Sequence, residues 1–138
     1  MARLGDFQVT GVEKLNRELE RLPYRIQKNV SAVALRKGAR LIVKAARAKV
    51  PVLSGNLKKS LGSKMERVLR GEMPVIQIGA RRKIRGAKHA HLVEFGHGGP
   101  KAARPYPFLE PAIRETSGAA LKAIRDELSA WLKLVRFR

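Results

Sequence analysis

The strongest constraint on this chain is a long run bracketed by two prolines, Pro23 and Pro51. Between them, from about Tyr24 to Lys49, apolar and basic residues recur with the 3.6-residue period of one continuous helix. Ile26, Val30, Val33, Ala34, Leu41, Ala45 and Ala48 fall on one broad face. Arg25, Arg36, Arg40 and Arg47 gather on a narrow stripe beside it, with Lys44 at its edge. Leu35, Ile42, Gly38, Ala39 and Ala46 leave little of the remaining circumference polar. A helix apolar over so much of its surface is buried on more than one side. Its second side is either the centre of its own core or a neighbouring subunit.

What flanks this helix sets the fold class. Thr10-Gly11-Val12-Glu13 fits a capping box with Thr10 as N-cap, and Val12, Leu15, Leu19 and Leu22 follow at helical spacing. Pro23 ends that first helix and can open the second, because proline is tolerated at a helix start. At the far end, Pro51 lacks the next backbone donor and biases Val50 towards extended angles. Ser54-Gly55-Asn56-Leu57 then makes a turn, Ser54 hydrogen-bonding nearby backbone and Gly55 supplying a conformation open to few other residues. Leu61 to Arg70 and Pro74 to Ala80 read as strands, joined by a hairpin connection at Gly71-Glu72-Met73-Pro74. Residues 89–96, HAHLVEFG, fit a third strand or a short helix equally well. His97 to Pro107 is too rich in Gly and Pro to be regular. From Pro111 onward, Ile113, Ala120, Leu121, Ile124, Leu128, Trp131, Leu132 and Val135 mark a C-terminal helix, weakened at Ser117-Gly118. The expected fold is α+β: N-terminal helices including one long helix, a small antiparallel sheet and a C-terminal helix. The whole chain, 1–138, is expected to form a single domain with an irregular loop at 96–107.

Charge narrows the function. Thirty Lys and Arg against 11 Asp and Glu give a net charge of +19, and no acidic residue occurs from Arg21 to Met65. Such a field attracts polyanions. The other reading is a solvated surface, or one neutralised by an acidic partner. With no cysteine, disulfides and thiolate metal sites are excluded. No apolar leader or membrane-length apolar segment is evident, so a soluble protein with no membrane association is expected.

Catalytic chemistry finds little support. His89, His91, Glu94 and His97 are close in sequence, but they lack the spacing that puts two histidines on one helix face. On a strand, His89 and His91 would share a face from which Glu94 points away. No serine has a Gly-x-Ser-x-Gly setting, and GARRKIRGAK at 79–88 lacks the Gly-Lys-Ser/Thr end of a phosphate loop. Aromatic residues, 5% of the chain, are too few for a single-strand stacking platform. No enzyme, metal or cofactor is expected.

Three stretches, read together, resemble one family. VPVLSGNLKKSL at 50–61 is similar to a Val-Pro-x-x-Ser/Thr-Gly-x-Leu-x-x-Ser signature. HAHLVEFG resembles Tyr-Ala-x-x-Val-Glu-Phe-Gly, and PYPFLEPAI at 105–113 resembles Pro-Phe-Leu-x-Pro-Ala. Their order and spacing resemble the tail-component family of HK-type lambdoid siphophages, whose members act at the neck and in tail completion. The resemblance places the signature on Pro51, Ser54, Gly55, Leu57 and Ser60, on Ala90, Val93, Glu94, Phe95 and Gly96, and on Pro107, Phe108, Leu109, Pro111 and Ala112. The chain departs from it at His89, where the family usually has Tyr, and at His97, often Thr.

The resemblance implies a structural, non-catalytic virion protein that joins a DNA-filled head to a tail within a ring of subunits. Its implied partners are other phage neck and tail proteins and further copies of itself, with nonspecific contact to genomic DNA. It would reside in the virion, and in the host cytoplasm during assembly. Arg36, Arg40 and Arg47, with Arg81, Arg82, Lys83 and Arg85 of the basic loop, are the candidates for contact with DNA or acidic partners. Two readings stand for Glu94 and Phe95. One is a core Phe beside a solvated or helix-capping Glu; the other is an inter-subunit ion pair with an arginine of the 81–85 loop. The loop from His97 to Phe108 has the composition of a docking arm. The alternative function is a stand-alone basic nucleic-acid-binding protein of phage origin; a third, a histidine-dependent metal protein, is open to elemental analysis.

Overall fold

The computed structural model describes residues 11–51, 55–81 and 87–136. Their elements are helices α1 (Val12–Glu20), α2 (Tyr24–Lys49) and α3 (Asn56–Ser60), then strands β1 (Leu61–Met65) and β2 (Ile76–Ala80). A 3₁₀ turn (Ala87–His89) leads into α4 (Ala90–Phe95), and α5 (Leu109–Arg136) closes the chain. The fold is α+β, as the sequence predicts.

Pro23 occupies the N-cap of α2 with extended angles, and α2 runs uninterrupted to Lys49. Val50 is extended at ψ 136°, the conformation that the following Pro51 imposes. Gly55, at φ 74°, then starts α3 from the left-handed region. Ser54 lies outside the described residues, as does Thr10; the N-cap of α1 is Gly11, with no side-chain cap.

α2 and α5 lie antiparallel, and the ion pairs Lys37–Glu127 (2.5 Å) and Lys49–Glu115 (2.8 Å) mark their register. Gly38 sits where the two helices approach closely: a Cβ there would stand 2.7 Å from the Ile124 side chain and 3.0 Å from the Ala120 carbonyl oxygen. Towards its C-terminus α2 contributes Ala46, and Val50 follows, to a core completed by Leu61, Phe108 and Ala112. Leu57, Ala90, Val93 and Leu109 pack around this core. Burying such side chains stabilises the fold by about 1.5–3 kcal/mol for each large one.

The face of α2 differs from the expected one. Val30 and Ala34 are buried, but Ile26, Val33, Leu41 and Ala48 are exposed. Burial passes instead to Gly38, Ala39, Val43 and Ala46. α5 covers one side of the helix and the sheet another, and the buried face combines Val30 and Val43 with small residues that admit close approach.

The strands are shorter than expected. β1 and β2 pair antiparallel from Leu61↔Ala80 to Met65↔Ile76, and one further bond, Glu66 N–H to Val75 O, extends the ladder. The reversal is at Leu69–Glu72, closed by Glu72 N–H donating to Leu69 O, rather than at Gly71–Pro74. The Tyr24 hydroxyl donates to Glu72 O at 2.7 Å and accepts from Gly71 N–H at 3.1 Å, tying the hairpin tip to the start of α2. α5 begins two residues before Pro111 and passes through Ser117-Gly118 without a break. Thr116 and Ser117 hydroxyls there bond back to the carbonyls of Ala112 and Ile113. No helix among the described residues is long and apolar enough to cross a membrane.

Candidate functional site

Residues 89–96 form the 3₁₀ turn's last residue, α4 and its C-cap, not a strand. The helical turn sends Glu94 and Phe95 in opposite directions. Glu94 is 8% exposed, and its carboxylate accepts backbone N–H bonds from Phe108 (2.8 Å), Leu109 (3.0 Å) and Glu110 (3.1 Å). A helix N-terminus leaves four backbone donors without partners. At α5 three of them meet Glu94 and the fourth position is Pro111, which has no N–H, so every donor is accounted for. The negative carboxylate also complements the helix dipole. The capping reading of Glu94 is therefore the one observed, and its carboxylate faces inward rather than onto a subunit rim.

Phe95 does the reverse of a core residue: it is 76% exposed. Its neighbour Gly96 has φ 71°, and a Cβ there would come within 2.8 Å of Ala103 O and Pro105 N. Only glycine fits both the angle and the space. The following loop is closed on itself by paired backbone bonds between His97 and Ala103 and anchored by Tyr106 N–H to Val93 O at 2.8 Å. Pro107 is exposed and Phe108 is buried in the core. Pro51 is half-buried at the corner after α2, and Leu57 packs on the core. Ser60 is fully buried, its hydroxyl donating to Leu57 O at 2.7 Å.

The basic candidates divide. Arg36, Arg40, Arg47 and Arg81 are exposed, while Arg82, Lys83 and Arg85 lie outside the described residues. Arg40, Arg47 and Arg81 line a groove of about 490 Å³ with Lys44 and Lys58. Arg47 Nη2 donates to Leu61 O at 2.7 Å, fixing the guanidinium across β1. Among the described residues none of these five cations has a carboxylate within ion-pair distance. Lys58 and Gly62, missed in the sequence, enter the groove from α3 and β1. Because four separate segments converge there, α2, α3, β1 and the residue after β2, no single window of sequence signals it.

His89, His91 and His97 do not converge with carboxylates: no group of three or more potential metal ligands occurs among the described residues. Glu94 is engaged with backbone instead.

No curated protein and no solved structure matches the chain. One family model, described as "Bacteriophage HK97-gp10, putative tail-component", matches residues 13–96. That span runs from α1 to the glycine after Phe95 and includes every described cation of the groove. With more than half its length matched, the chain belongs to the bacteriophage HK97-gp10 tail-component family.

Proposed function

We propose that this chain is a structural, non-catalytic component of the phage neck, acting in head–tail joining or tail completion as one subunit of a ring. The observation that carries the assembly part is Phe95, an aromatic side chain 76% exposed beside a glycine whose backbone angle and surroundings leave no room for a side chain. Burying a phenylalanine contributes about 1.5–3 kcal/mol, and the chain leaves that contribution unused. Rigid apolar anchors of this kind carry much of the energy of protein interfaces. A head-to-tail contact between such an anchor and a different surface of the next copy closes into a ring when the rotation allows. In this reading the chain is a single domain, Phe95, Gly96 and Pro107 face the neighbouring subunit or another neck or tail protein, and Pro51, Gly55, Leu57, Phe108 and Pro111 shape the scaffold behind them. Arg36, Arg40, Arg47 and Arg81, with Arg82, Lys83 and Arg85, face DNA or an acidic partner.

The basic groove favours a second reading, a stand-alone nucleic-acid-binding protein. Antibody labelling of purified virions separates the two. The neck reading expects the chain in intact particles, with label at the head–tail junction. Its absence from infectious particles would contradict that reading and favour the second.

A further inference from the structure

We infer that the groove between α2, α3 and β1 is a preformed seat for the phosphate backbone of duplex DNA, read without regard to base sequence. The inference rests on the proposal that the basic stripe faces DNA or an acidic partner, and it chooses between them.

The groove is built rather than merely charged. Arg40 and Lys44 lie one turn apart on α2, about 6 Å along the axis. Like charges at that spacing destabilise a helix by a few tenths of a kcal/mol per pair. Nothing acidic among the described residues offsets them. Arg47 is pinned by its bond to the Leu61 carbonyl at the start of β1. Arg81 is set by its own N–H donating to Ser60 O at 2.8 Å, and its guanidinium lies against Gly62. A Cβ at Gly62 would stand 2.5 Å from Arg81 Nε and 2.7 Å from its Nη2, so the space that glycine leaves is the space the guanidinium occupies. Lys58, exposed on α3, completes the set.

The lining chooses the ligand. It contains no aromatic residue, so unpaired bases have nothing to stack on. Its apolar side chains, Val43 and Ala48, are too small to anchor a protein partner, whose interfaces concentrate binding in large apolar and aromatic contacts. What remains is a row of fixed and flexible cations, the equipment of backbone contact on a duplex.

The test is binding of the full chain to a duplex of about 30 base pairs, measured by fluorescence anisotropy across salt concentrations. Each phosphate neutralised contributes about −0.9 to the slope of log K against log salt, so four or five contacts give a slope near −4. The double variant Arg40→Gln/Lys44→Gln should reduce that slope by about 2. Lys122→Gln/Lys133→Gln, which removes the same charge from α5, should leave it unchanged. Gly62→Ala keeps every charge yet displaces the Arg81 guanidinium, and it should reduce the slope by about 1. Thermal melts confirm that each variant is folded. The site assignment is overturned if the two double variants behave alike, or if Gly62→Ala has the wild-type slope. Tighter binding of single strands than of duplex, or of a polyglutamate peptide at matched charge, would overturn the ligand. Any of these leaves the neck reading standing, because that reading depends on particle location.

Discussion

Glu94 and Phe95 are adjacent and have opposite tasks. Glu94 accepts from Phe108, Leu109 and Glu110, and it substitutes for a local cap that the residues before α5 do not supply. Removing it leaves three helix donors without their acceptor, one of them buried and two partly buried. Glu94→Ala should therefore lower unfolding free energy by about 2–3 kcal/mol, within the range for losing a cap and charge-assisted hydrogen bonds. Phe95→Ser, by contrast, should leave stability within about 0.5 kcal/mol, as expected for an exposed position. Urea unfolding of both variants checks the contrast, and equal losses would show that Phe95 is held in place by the fold after all. The sequence alone left capping of a helix by Glu94 beside two alternatives, a solvated carboxylate and an inter-subunit ion pair. The signal that favours it is the absence of Ser, Thr, Asp or Asn at Pro107-Phe108, just before the helix. The partners lie 14 to 16 residues away, so only the folded chain joins the two motifs.

At the scale of elements, the long helix was legible because both its ends are written in proline chemistry, at Pro23 and at Val50-Pro51. Its buried face was not. Ile26, Val33 and Leu41 stay exposed, while Val30 and Val43 with the small residues Ala34, Gly38, Ala39 and Ala46 make the buried face. Periodicity locates a stripe, but close approach between backbones is decided by side-chain size. Gly38 tests this most directly. Gly38→Ala gains about 1 kcal/mol of helix propensity against the crowding of Ile124, so the two effects nearly cancel. Gly38→Leu has no room and should cost about 1–3 kcal/mol, read as a lower denaturation midpoint at unchanged m-value. A neutral Gly38→Leu would mean that α2 and α5 are not held at the distance described. The hairpin was legible in kind but not in register, since its turn is positioned by the Tyr24 hydroxyl on a distant helix.

For the molecule as a whole, one scaffold carries two surfaces: an apolar corner at Phe95 and a basic groove at Arg40, Lys44, Arg47, Lys58 and Arg81. The family-matched span holds both. The third motif, at Pro107–Ala112, lies beyond that span and is tied to it through Glu94. A net charge of +19 repels like copies, so ring formation would be helped by a polyanion or acidic neighbour in contact with the basic face. The role proposed for this chain is completion of the joint between head and tail. Its most direct test is deletion of the gene in its parent phage or prophage, with the induced lysate imaged by electron microscopy. If the chain has that role, the lysate holds DNA-filled heads lying apart from tails, or heads bearing defective tails. A lysate of intact, infectious virions would contradict it.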